Sequence, residues 1–229
     1  MVVPVRNEAE NVEPLAREIA QALAGLRAFE IVYVDDGSDD GTHAELERMR
    51  LQIPQLRCVR HAQSYGQSTA ILTGVRSACH PWVATLDGDG QNDPADIPAL
   101  LDAAKDCDMV VGIRATRRDS WLRRMMSRIA NEVRGRMLGD NLEDSGCALK
   151  VFRAEVVGSF FPIRSLYSFM PAMAVAAGHR IAEQPVNHRE RRTGASKYGF
   201  GTFAWRPLVD MLALWWLLRC RPVFRRQTR

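Results

Sequence analysis

The sequence predicts an α/β protein: an open, mostly parallel sheet with helices on both faces, followed by a C-terminal amphipathic helix. Three observations predict it. Short apolar runs alternate with helical stripes through the first half of the chain. Dense polar clusters recur where those apolar runs stop. And 229 residues, 46% of them hydrophobic, suffice for one sizeable core. Strand–helix alternation builds a parallel sheet covered by its own crossover helices.

Taken in order, VVPV (2–5), EIVYVDD (30–36), LRCVR (56–60), WVATLD (82–87) and MVVGI (109–113) read as strands. Between them, Glu8 to Ala24, Thr42 to Arg50, Gln67 to Ala78 and Ala95 to Lys105 read as helices. The first carries the stripe Val12, Leu15, Ile19 and Leu23, with Asn7 placed to cap it. Residues 114–136 hold eight arginines, and apolar residues at helical spacing predict an amphipathic helix there. Most of those arginines read as solvated. Short apolar patterns follow around Ala148–Phe152 and Ile181–Val186, then the polar run RERRTGASKYGFG (189–201). Trp205 to Arg229 reads as a leucine- and tryptophan-rich helix with an arginine-rich tail.

Composition narrows the function. The five cysteines are scattered singly, which supports neither a disulfide framework nor a zinc site and favours a reducing compartment. The amino terminus does not read as a signal peptide, because VVPV starts at once and polarity follows by Arg6. No apolar run approaches the ~20 residues a spanning helix needs. The net charge of +4 suits a phosphate-bearing substrate or an anionic membrane surface, and equally an ordinary solvated surface. Nucleic acid is not expected, since the cations do not alternate with aromatics as a stacking platform requires.

In parallel sheets, ligands bind beyond the carboxyl ends of the strands, and the polar clusters lie there. DGDGQNDP (87–94) is the most informative. Asp87 and Asp89, one glycine apart at a strand end, direct two carboxylates toward one region. Such hard oxygen donors suit Mg2+ or Mn2+, with Gln91 as a neutral oxygen, whereas Asp93-Pro94 reads as a helix-starting turn. In VDDGSDDGT (34–42), Asp35 and Asp36 can accept hydrogen bonds from a ribose or a base, and the same residues can equally serve a turn. On the arginine-rich stretch, Arg124 and Arg128 share a helical face that could grip a phosphate.

VPVRNE (3–8), VDDGS (34–38), DGDGQNDP (87–94), DSGCALKVFR (144–153) and RRTGASKY (191–198) occur in this order. With these motifs the chain resembles an inverting family-2 glycosyltransferase. More narrowly it resembles the dolichol-phosphate mannosyltransferase group, which includes bacterial polyprenyl-phosphate glycosyltransferases. The resemblance covers nearly the whole chain. It implies a nucleotide-sugar-binding, Rossmann-like fold of the GT-A type over residues 1–202, with 203–229 as an amphipathic, membrane-interfacial helix and basic tail. It implies metal-dependent inverting transfer of a sugar from GDP-mannose or a UDP-hexose to polyprenyl phosphate.

The roles implied residue by residue are these. Pro4, Glu8 and Asp36, with Arg6 and Asp35 beside them, hold the nucleoside; Arg6 stands where the family more often has tyrosine. Asp87 lies near the diphosphate and sugar, and Asp89 and Gln91 bind the metal. Arg117 and Ser145, with Arg128, reach the acceptor phosphate. Lys197 and Arg192 (or Arg191) clamp the donor phosphates. The implied location is the cytoplasmic face of the membrane, docked directly or through a separate membrane protein, with the oligomeric state left open. Two rivals stand beside this: transfer to a hydroxyl, with Asp144 as general base, and a non-catalytic nucleotide-sugar-binding protein.

Overall fold

The computed structural model describes residues 1–26, 28–114, 131–190 and 206–220. The chain runs β1 (Val2–Val5), α1 (Ala9–Leu23), β2 (Ile31–Asp35), α2 (Thr42–Gln52), β3 (Leu56–Arg60), α3 (Gln67–Ser77), β4 (Trp82–Thr85), α4 (Ile97–Ala103) and β5 (Met109–Arg114). A helical stretch at 131–138 (α5) follows. Then come β6 (Lys150–Arg153), α6 (Leu166–Ala176), β7 (Ile181–Val186) and α7 (Arg206–Cys220). Single 3-10 turns, Pro94–Asp96 and Ala104–Asp106, flank α4, so that predicted helix is α-helical only in its middle.

The seven strands form one sheet in the order β3-β2-β1-β4-β6-β5-β7. β3, β2, β1 and β4 run parallel to one another, and β5 runs parallel to β7. β6 is inserted antiparallel between β4 and β5. Every residue of β1 and β2 is buried, which is why these strands read as continuous rather than alternating apolar runs.

Helices cover both faces, as expected. Val3, Val5 and Tyr33 point into a core with Leu15 and Ile19 of α1, Leu46 and Met49 of α2, and Ile97 and Leu100 of α4. Val2, Val32, Val34 and Phe152 point the other way, onto Ile71 of α3 and Met170 and Met173 of α6. Met211 and Leu214 of α7 join this second core, and Ser165 N–H donates to Asp210 at 2.8 Å, fixing α7 against the start of α6. Trp215 and Leu218 pack partly against that core, whereas Leu208, Val209, Leu212 and Trp216 are exposed. Among the described residues no helix is long and apolar enough to cross a membrane.

Two expectations need correction. Asn7 does not cap α1. It takes φ 52°, outside the helical region, and its side chain exchanges hydrogen bonds with Asp39: Nδ2 to Oδ1 at 2.6 Å, and Asp39 N to Oδ1 at 3.1 Å. The helix-preceding residue is Glu8, whose carboxylate accepts from Asn11 Nδ2 at 2.6 Å. Arg134, one of the arginines read as solvated, is buried, for reasons given below.

Candidate active site at the carboxyl ends of the strands

Three of the polar clusters meet where β1, β2 and β4 end. The first two are stitched together by the backbone. Asp36 N–H donates to Val5 O at 2.9 Å, Asn7 N–H to Ser38 Oγ at 3.0 Å, and Glu8 N–H to Thr42 Oγ1 at 2.9 Å. The third leaves the sheet early: β4 ends at Thr85, and the acidic turn folds over the end of β1. Gly88 makes that possible, since a Cβ there would sit 2.4 Å from Val5 Cγ1 and 3.0 Å from Pro4 O.

The aspartates at these strand ends have very different surroundings. Asp35 is fully buried; its Oδ1 accepts Ser38 N–H at 2.9 Å. Its Oδ2 lies 3.4 Å from Arg60 Nε and 3.8 Å from His43 Nδ1, without a hydrogen bond among the described residues. Asp36 accepts four bonds from the loop after β3: Tyr65 N–H at 2.9 Å and His61 Nδ1 at 2.7 Å on Oδ1, Ser64 Oγ at 2.7 Å and Gly66 N–H at 2.8 Å on Oδ2. Burial pushes its pKa up, but these bonds outweigh burial and leave it below the usual carboxylate value.

Asp87 is the opposite case. Among the described residues its hydrogen-bond donor is Gln67, Nε2 to Oδ1 at 2.7 Å. Burial first, then the charge of Asp89, raise the Asp87 carboxyl to about 6, against the opposing pull of Lys150, Gln67 and Arg114. Asp89 turns back on its own loop, accepting Gln91 N–H at 3.1 Å. Asp93 accepts Ala95 N–H at 3.0 Å and starts the turn before α4, as read from Asp93-Pro94.

The fourth motif packs against the third. Thr85 Oγ1 donates to Ala148 O at 2.8 Å, and Asn92 Nδ2 lies 3.9 Å from Cys147 Sγ. Asp144 is held bidentately by Arg114, Nε to Oδ2 and Nη2 to Oδ1, each at 2.7 Å. Ser145 is buried and accepts from Arg134 Nη1. Arg134 also pairs with Asp140 at 2.9 Å and donates to Leu142 O at 2.7 Å, so this guanidinium ties down the 140–145 loop from inside. The approach to the fifth motif is anchored on the third: Arg189 N–H donates to Gln91 O at 2.7 Å, and its side chain reaches Asp93 at 2.6 Å.

Of the expected site residues, Pro4, Glu8, Asp35, Asp36, Asp87, Asp89 and Gln91 come together at this end of the sheet, with exposed Arg6 at its edge. Ser145 follows Asp144 on the β6 side. Arg117, Arg128, Arg192 and Lys197 lie outside the described residues.

Comparison with known proteins places this arrangement. Residues 1–161 match the family described as Glycosyl transferase family 2. The chain belongs to glycosyltransferase family 2. It is 35% identical over 226 residues to the dodecaprenyl-phosphate galacturonate synthase of Rhizobium johnstonii, covering 96% of this chain and 67% of that protein. It is 40% identical over 203 residues to the undecaprenyl-phosphate 4-deoxy-4-formamido-L-arabinose transferase of Edwardsiella ictaluri, covering 87% of this chain but only 62% of that protein. Among solved structures, a mannosyltransferase from Pyrobaculum calidifontis in complex with GDP-Man and Mn2+ superposes with TM-score 0.70 at 21% identity, covering 97% of this chain and 64% of that one. Glucosyl-3-phosphoglycerate synthase from Mycobacterium tuberculosis, with Mn2+ and UDP-glucose, gives 0.68 at 17% identity, over 93% of this chain and 77% of that one. The fold is therefore of the GT-A type.

Within this family member, three further residues belong to the site. Lys150 is buried in β6 and lines a small cavity with Pro4, Thr85, Asp87 and Tyr167. Burial pushes its ammonium down to about 8, with Cys147, Asp87 and Asp144 acting against that shift. A lysine inside the apolar pattern Ala148–Phe152 was the signal available for it. Arg114 closes β5, one residue past the expected strand and at the start of the stretch expected to be helical, and it pairs with Asp144. Gln67 carried no signal beyond opening a helix.

Among the described residues, no group of three or more His, Cys, Asp or Glu side chains forms a metal cluster. The donor chemistry nonetheless fits a divalent cation. Asp89 and Gln91 offer hard oxygen donors, and a cation held there would offset the burial and the Asp89 charge that raise Asp87.

Proposed function

We propose that the chain catalyses inverting transfer of a sugar from a nucleotide sugar to polyprenyl phosphate. The chain spans about two thirds of the two curated relatives named above, whose names specify dodecaprenyl- and undecaprenyl-phosphate, and the reading is carried to it from them. The observation in this chain that favours it is the Arg114–Asp144 pair. Both Asp144 oxygens are engaged by one guanidinium, which suits an acceptor that needs no general base. A phosphate oxygen is already anionic at neutral pH, whereas a hydroxyl acceptor needs its proton removed.

In this reading Pro4, Arg6, Glu8, Asp35 and Asp36 line the nucleoside side. Asp87 lies by the diphosphate and sugar. Asp89 and Gln91 would bind Mg2+ or Mn2+, which supplies positive charge to the departing diphosphate. Arg117, Arg128 and Ser145 take the acceptor phosphate, and Arg192 and Lys197 the donor phosphates. A polyprenyl-phosphate oxygen attacks the anomeric carbon from the face opposite the diphosphate; the new C–O bond forms as the bond to the nucleoside diphosphate breaks, and the configuration inverts. Alignment of the two substrates supplies much of the rate. The exposed apolar residues of α7 and the arginines that follow it in sequence suit a membrane surface on the cytoplasmic side, where the lipid acceptor is presented.

The test is a transfer assay. Purified protein receives undecaprenyl phosphate in detergent, Mg2+ or Mn2+, and a panel of labelled GDP- and UDP-sugars. Label entering the lipid phase from one donor, and lost in Asp89→Ala, establishes reaction and donor together. Nucleotide binding without transfer from any donor overturns the reading in favour of a hydroxyl acceptor or a non-catalytic role.

A further inference from the structure

The loop between β3 and α3 touches both acidic motifs. At one end Asp36 takes Ser64 Oγ and the N–H groups of Tyr65 and Gly66, and it takes His61 Nδ1 as well. His61 Nε2 is in turn 3.0 Å from Thr73 Oγ1, within α3. The loop lies directly on the β2 turn: a Cβ at Gly37 would sit 2.5 Å from the backbone carbon of Gln63. At the other end the next residue, Gln67, is the first of α3, and its amide donates to Asp87 Oδ1.

We infer that Gln67 is a positioning residue for Asp87, and that Asp36 acts on Asp87 through this loop. Asp36 has two oxygens and takes two donors on each, a full complement for a carboxylate. It fixes Ser64, Tyr65 and Gly66, and hence where α3 begins. Gln67 then presents an N–H donor to Oδ1 of Asp87 at 2.7 Å. Among the described residues the other Asp87 oxygen has no hydrogen-bond donor. The inference deepens the proposed transferase reading and rests on it for the role of Asp87, but the bridge itself is tested independently.

The first arm is a double-mutant cycle read by chemical denaturation. Gln67→Met keeps the length of the side chain and removes the donor. In the parent chain it should lower the folding equilibrium constant about tenfold. In an Asp87→Ala background it should change it less than twofold. Equal effects in both backgrounds overturn the bridge. The second arm is calorimetric titration of Mn2+ into the folded variants. Gln67→Met should weaken Mn2+ binding about five- to tenfold. Asp36→Asn should shift it in the same direction and add nothing on top of Gln67→Met. An unchanged Mn2+ affinity in Gln67→Met overturns the positioning role, because a residue that merely starts a helix would alter stability alone. If the parent chain binds no Mn2+, the metal reading of Asp89 and Gln91 falls, and the cycle still decides the bridge.

Discussion

The Asp35–Asp36 and Asp87–Asp89 pairs end strands of one sheet with the same residue type, and the fold treats them in opposite ways. At β2, Asp36 receives four hydrogen bonds from its own chain and is held below the usual carboxylate pKa. At β4, Asp87 has Gln67 as its donor among the described residues, faces Asp89, and is raised to about 6. A carboxylate satisfied internally stabilises the fold; one left short of donors costs stability until a ligand supplies charge. The difference separates an acidic residue that builds the site from one that waits for its contents.

The sharpest break of this comparison is Asp89→Ala. Transfer should fall about a thousandfold or more, the scale of losing a key electrostatic contact. Thermal stability without ligand should stay level or rise, because a like charge beside Asp87 is removed. A stability loss together with the activity loss would mean that the β4 pair is structural like Asp36. Next in size is Asp144→Asn. If the acceptor is a phosphate, the Arg114 pair weakens, and activity should drop about tenfold while the melting temperature falls. A loss beyond a thousandfold with an unchanged melting temperature would instead identify Asp144 as the general base of a hydroxyl acceptor.

Asp36→Asn tests the other half. An amide at this position sets an NH2 group against donors it cannot accept. The expected cost is about 2–4 kcal/mol of folding stability, seen as a lower denaturation midpoint. The same substitution at Asp87 should be neutral or stabilising, since it removes a charge that Asp89 repels. If both cost alike, the contrast between the two strand ends disappears.

Local sequence carried the strand ends and little of what surrounds them. VDDGS and DGDGQNDP are adjacent residues, so their crowding was visible, and so was the apolar run that delivers each to the same edge. The donors on Asp36 come from residues 25 to 30 positions away, and Gln67 reaches Asp87 across 20. No pattern within a strand or turn encodes such pairings. Arg134 shows the same limit: it sits in an arginine-rich stretch read mostly as solvated, and the folded 140–145 loop, with Asn131, supplies the acceptors that bury it. Asn7 failed as a cap because Asp39 competed for its amide and drew it out of the helical region. The antiparallel β6 was equally hidden, since its short apolar pattern suits either direction.

The smallest expected effect uses a carboxylate at the opposite end of β2, far from the acidic edge. Glu30 precedes the strand and accepts from Arg57 Nε at 2.8 Å, Cys79 N–H at 2.6 Å and His80 Nδ1 at 3.1 Å. Burial raises its pKa, but the bonds from Cys79, Arg57 and His80 prevail and bring it to about 2. A folded-state value below the unfolded one means that the ionised form stabilises the native chain. That stability is present in full above the ordinary glutamate range near 4.5 and is lost as pH falls toward about 2. Glu30→Gln should therefore lower the melting temperature by a few degrees at pH 7. The gap between variant and parent should narrow as the pH is taken from 5 toward 3. A gap that stays constant over that range would show that Glu30 acts by packing, and would leave Asp36 as the carboxylate here that stabilises by charge.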